Sequence, residues 1–175
     1  GAARTRIEQQ LAGGRLREAL DGAQQLLLRA RMAGAQAYLS ADYDLAGACW
    51  LLAAVLKTAG GSEQALPLFN EARQRFELIA QEQTSKAAEG MASSCIAQQG
   101  ECLIYLGRLD EAAAACEENI RRAEKLADVR QVAVGKAQLG TVRMQQYRYA
   151  EALAAYSEAR ERFAAMILKD WDQVR

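Results

Sequence analysis

One phrase recurs four times along the chain, and it narrows the folds open to it. Gly-x-Leu-x-Glu-Ala occupies residues 14–19 and again 107–112, with variants at 60–65 (Gly-Gly-Ser-Glu-Gln-Ala) and 147–152 (Tyr-Arg-Tyr-Ala-Glu-Ala). The closing alanines, Ala19, Ala65, Ala112 and Ala152, are separated by 46, 47 and 40 residues. A period of that length marks a repeated structural unit. Within the phrase, glycine suits the left-handed turn that ends a helix, and the acidic residue favours the start of the next one. Each copy lies between two stretches of helical periodicity, so the unit is helix-turn-helix.

The stripes on either side of the phrase agree. In the last unit Ala137, Leu139, Gly140 and Met144 precede Ala152, Leu153, Tyr156 and Ala159 at three-to-four spacing. In the third, Ala97, Gly100, Leu103 and Leu106 precede Ala112, Cys116 and Ile120; in the second, Leu52, Ala53 and Leu56 precede Ala65, Leu66, Phe69 and Ala72. The first unit has Leu20, Leu26 and Leu27 after its turn, but only a short first helix from about residue 5 to 12. Small residues let paired helices approach closely, and such a pair cannot bury its whole apolar face alone. The units must stack. We place them at residues 3–34, 41–82, 88–127 and 129–168 of a single domain spanning 1–175, with longer helices or an extra turn between units expected around 34–40 and 81–92. Residues 169–175 read as the start of a further helix or as a cap that folds Ile167, Leu168 and Trp171 inward.

Composition removes most other classes. Among 175 residues there is one proline, and about one residue in five is alanine, which favours helix throughout. Twenty-two basic residues balance 22 acidic ones, leaving no electrostatic footprint for nucleic acid. The absence of histidine excludes His-based acid/base chemistry, His-activated nucleophiles and most zinc sites. The longest apolar run, residues 45–56, is too short for the roughly 20 residues of a membrane span. Gly1-Ala2 reads as a cloning remnant, no secretory signal opens the chain, and a cytoplasmic location is expected. Cys49, Cys95, Cys102 and Cys116 form no C-x-x-C pair and read as reduced, buried thiols. Cys95 and Cys102 lie about 10 Å apart along one helix, too far for a disulfide. No cofactor or metal is expected. Glu117 and Glu118 diverge by about 100° on a helix and read as solvated surface, and Glu158 with Arg162, like Arg148 with Glu151, has the spacing of a helix-surface ion pair.

Leu139-Gly140 followed by Tyr149-x-x-Ala152-x-x-x-Tyr156-x-x-Ala159 resembles the tetratricopeptide repeat. The second unit, with Pro67 early in its second helix, is similar to the longer repeats of the kinesin-light-chain type. Cys116 departs from the pattern's aromatic, Asn119 from its later alanine, and Arg143 stands where Trp or Tyr is usual. The resemblance implies an all-α, right-handed superhelical solenoid of about four repeats whose first helices line a concave face. On that face it places Arg4, Glu8, Trp50, Lys57, Glu101, Tyr105, Thr141, Met144 and Gln145. Trp50 has a competing reading as a core packing residue. The family's two-carboxylate clamp does not transfer, because Asn70 and Asn119 belong to second helices and the first helices carry no Lys and Arg cluster.

The expectation is therefore a non-enzymatic interaction scaffold that binds a peptide, a helix or a partner subunit on its concave face, with no nucleic-acid or membrane partner. A homo-oligomer through the open C-terminal end is one further option. The alternative is a ligand- or peptide-sensing array within a larger bacterial signalling or transcription-regulatory protein.

Overall fold

The structure is a computed structural model that describes residues 1–174. Among them are eight α-helices and no strand: α1 (Ala2–Ala12), α2 (Leu16–Ala33), α3 (Ala41–Thr58), α4 (Ser62–Gln83), α5 (Lys86–Tyr105), α6 (Leu109–Lys125), α7 (Val129–Gln145) and α8 (Tyr149–Val174). None is long and apolar enough to cross a membrane. The chain divides into two compact units, Gly1–Gln98 and Gln99–Arg175, and α5 passes from one to the other.

The recurring phrase is a recurring turn. At Gly14, Gly60 and Gly107 the backbone takes φ of 73°, 86° and 71°, the left-handed region where a Cβ is costly. The next residue then donates its N–H back to the carbonyl five positions earlier: Arg15 to Gln10, Gly61 to Leu56, Arg108 to Leu103. This closing bond satisfies carbonyls orphaned at the helix end. The turn between α7 and α8 repeats it, Arg148 to Arg143, although Tyr147 holds the left-handed position with φ of 62°. The phrase's alanines, Ala19, Ala65, Ala112 and Ala152, are all buried.

In unit 1, α1 packs on α2, α2 on α3 and α3 on α4. The core gathers Ile7, Leu27, Leu45, Leu51, Val55, Phe76 and Ile79 with Ala88, Ala92 and Cys95 of α5. Tyr43 meets Phe76 edge-on at 5.1 Å. Above this core an ionic chain ties three helices: Arg31 of α2 to Glu71 of α4 at 2.6 Å, and Arg75 to both Glu71 (3.2 Å) and Asp42 of α3 (3.0 Å). Burial alone would raise the Glu71 carboxyl, but Arg31 and Arg75 outweigh it and hold it below the usual carboxylate range.

In unit 2, α6 packs on α7 and α7 on α8, and glycines receive the large residues. A Cβ on Gly135 would lie 2.7 Å from Ile120 Cγ1, and one on Gly140 would lie 2.9 Å from the Tyr156 ring. Asp128 caps α7 by accepting from the Gln131 N–H at 3.0 Å. Glu117 and Glu118 part company as their spacing demands: Glu117 reaches Arg143 of α7 at 3.0 Å, and Glu118 bonds Arg122 of its own helix at 2.7 Å. The Arg122 hydrogen bond is the main reason the Glu118 carboxyl sits below its ordinary range.

Two local expectations need correction, at the first helix and at residues 169–174. The first helix begins at Ala2, not near residue 5. Of the two alternatives at 81–92, the longer helices are what forms, α4 reaching Gln83 and α5 starting at Lys86, whereas 34–40 is a connection between α2 and α3. Pro67 lies beyond the first turn of α4, where Ala65 N–H already bonds Gly61 O, but it is exposed, so the Glu63 carbonyl left without a proline N–H stays accessible to water. Residues 169–174 neither start a helix nor fold back. With no glycine or proline after Arg148, α8 runs unbroken to Val174, leaving Tyr149, Leu153, Ile167, Leu168 and Trp171 exposed; Arg175 lies outside the described residues. Glu158 is held at 2.7 Å by Lys136 of α7.

All four cysteines are buried free thiols. Burial pushes Cys49 up to about 11 and Cys95 and Cys116 up to about 12.

Candidate functional site

The nine candidate residues fall into the two units. In unit 1, Arg4 and Glu8 are spent largely on each other, one turn apart on α1 at 2.8 Å. The Arg4 guanidinium lies 3.9 Å from where a Cβ on Gly47 of α3 would stand. Trp50 is part-buried against the core, edge-on to Phe69 at 6.5 Å, with its indole N–H enclosed. Lys57 donates to Gln98 of α5 at 2.5 Å.

In unit 2 the last turns of α5 and α7 form the walls of an open groove of about 690 Å³. Glu101, Ile104 and Tyr105 come from α5, with Gly107 just past its end; Ala137, Gln138, Thr141 and Gln145 come from α7. Tyr156 of α8 completes the lining. Four of the candidates, Glu101, Tyr105, Thr141 and Gln145, thus share one surface. Met144, half exposed on the adjoining face of α7, is outside the lining.

The helical spacing explains the grouping. Glu101 and Tyr105 are four apart on α5, and Ala137, Thr141 and Gln145 follow at the same interval on α7, so each set forms one row along its helix. Gly140 on the neighbouring stripe admits the Tyr156 ring, which brings the Tyr156 hydroxyl to 2.9 Å from Thr141 Oγ1. Gln138, itself buried, donates from Nε2 to Glu101 Oε1 at 3.1 Å and fixes the carboxylate's direction. Tyr105 is 75% exposed, a large amphipathic ring held at the groove's edge.

Sequence reasoning missed Gln138 and Tyr156 as parts of this surface. The Tyr156 position was legible only as the aromatic of the repeat pattern, and Gln138 lies on a stripe that reads as packing. No group of three or more metal-ligating side chains is found among the described residues.

No protein-family model matches the chain, and no curated protein does. Solved structures do. BtubC (BKLC) from P. vanneervenii is similar over 85% of this chain, with 23% identity and a TM-score of 0.65; the chain spans 57% of that protein's length. A Podosopora anserina protein described as a kinesin light chain with nearly identical TPR-like repeats aligns over 94% of this chain and 95% of its own, at 10% identity and a TM-score of 0.45. The first of these likenesses is one of fold: eight helices paired through one recurring turn make a tetratricopeptide-like repeat solenoid.

Proposed function

We propose that this chain is a non-catalytic protein-interaction scaffold that receives a peptide or helix in the groove of unit 2. The observation that carries the reading is the convergence of Glu101, Tyr105, Thr141 and Gln145 on one open surface edged by an exposed tyrosine. Tyrosine is a frequent binding anchor because a rigid ring gains contact area for little lost rotamer freedom. The remaining polar side chains orient a ligand, and no nucleophile paired with a base stands in the groove.

Peptides selected from a displayed random library against the intact chain provide the test. Tyr105→Ala combined with Glu101→Lys is expected to weaken the selected peptides by about tenfold or more, the usual consequence of losing an anchor worth over 1 kcal/mol. Helical circular dichroism should stay unchanged, since Tyr105 is exposed and Glu101 is not part of the core. Undiminished binding would move the site elsewhere; equal loss of helicity would make both residues structural.

A further inference from the structure

Helix α8 is apolar on two sides, and the fold uses one of them. Ala152, Ala155 and Ala159 are buried where α8 packs on α7. On another side Tyr149, Leu153, Ile167, Leu168 and Trp171 are each between 59% and 69% exposed. Leu153, Arg160 and Ile167 recur every seven residues, as do Ala150, Ser157, Ala164 and Trp171 between them, and none of the seven is buried. Two interleaved rows at that interval are the a and d positions of a coiled-coil seam. The five large side chains leave on the order of 600 Å² of apolar surface in water, most of the roughly 800 Å² that each partner brings to a standard interface.

Charge decides what fits this seam. Arg160 interrupts it at the middle with Glu161 beside it, and neither side chain pairs with another described residue. Two copies laid parallel and in register would set Arg160 on Arg160. With one copy reversed, so that Leu153 of the first meets Trp171 of the second, Ser157 faces Ile167 and Arg160 faces Ala164. Glu161 of the second copy then stands within one helical turn of Arg160 of the first. A two-fold axis repeats every contact, so two Arg160 to Glu161 pairs close the centre, and each small residue in the seam receives a large one.

We propose that a second copy of this chain covers this face, α8 lying antiparallel on α8 in a symmetric dimer. The stems of Arg160 run along the seam while the guanidinium reaches the carboxylate at its edge.

Sedimentation of the intact chain across a dilution series is the test, and the mass should rise from monomer to dimer with concentration. Leu153→Asp should weaken the dimer at least tenfold and leave helical circular dichroism unchanged, because Leu153 is exposed within one copy. Arg160→Glu and Glu161→Arg should each weaken self-association about three- to tenfold, since each sets like charges at the axis. An equimolar mixture of those two variants should recover the strength of the unaltered chain, because every central pair is again opposite in sign. Direction is read from a nitroxide on Ala150→Cys, the four native thiols being buried. Antiparallel copies hold the two labels roughly 35 Å apart, and parallel copies hold them within about 20 Å. A mass that stays monomeric at every concentration would leave the face to a different partner and overturn the proposal. So would a dimer indifferent to Leu153→Asp and to both charge reversals, or a label distance of the parallel kind.

Discussion

Phe76→Ala is expected to destabilise the fold by about 3–5 kcal/mol, measured as the loss of unfolding free energy in urea. Phe76 is fully buried on α4, where it meets the Tyr43 ring edge-on and sits in the same cluster as Leu45, Ile79, Ala88 and Ala92. Truncation removes the transfer energy of an aromatic ring and leaves a cavity that three helices cannot close without moving. Against the 5–15 kcal/mol that holds a typical domain together, that loss is large. Leu39→Ala is the control: Leu39 is fully exposed in the connection before α3, and its loss should change stability by no more than about 0.5 kcal/mol. A Phe76→Ala loss below about 1 kcal/mol would mean that the core is not closed around this ring.

The second expectation runs in the opposite direction. Asn119→Leu should stabilise the protein by about 1–3 kcal/mol. Asn119 is fully buried in the interior of α6, and neither Oδ1 nor Nδ2 has a hydrogen-bond partner. Each buried polar group left unmatched carries its full desolvation cost, and asparagine is also a poorer helix former than leucine. Leucine has nearly the same shape, so the site does not collapse. The room comes from Gly135 on α7, where a Cβ would stand 3.4 Å from Asn119 Nδ2. The readout is again the unfolding free energy. A loss of stability would show that the amide is satisfied in solution, and would defeat the argument.

Asn119 also shows how far the sequence can be read. It stands seven residues after Ala112, as Ala72 does after Ala65 and Ala159 after Ala152. The repeat alone marks it as an oddity. What the repeat cannot give is the compensation, because Gly135 lies across a helix interface and no local pattern links the two positions. The turns were legible for a different reason: a left-handed backbone asks for glycine within a few residues, and the phrase supplies one in three of its four copies. Tyr147 takes that conformation without glycine, so only the spacing to Ala152 revealed the fourth turn.

The groove was legible in part for the same reason. Glu101 with Tyr105, and Thr141 with Gln145, are single-helix spacings. Gln138 bonding Glu101 from 37 residues away, and Tyr156 bonding Thr141 from 15 away, depend on how neighbouring helices cross. The division of the chain at Gln98 falls inside α5, where the helical period continues without a break in composition.

The buried thiols offer an internal clock. Only a thiolate attacks an alkylating reagent, and groups pushed up to about 11 and 12 hold almost none at neutral pH. Modification must therefore wait for the helices to part. Cys49 and Cys95 belong to the first unit, Cys102 and Cys116 to the second. The order in which the two pairs gain mass from iodoacetamide should tell which half of the molecule breathes first, without any added label.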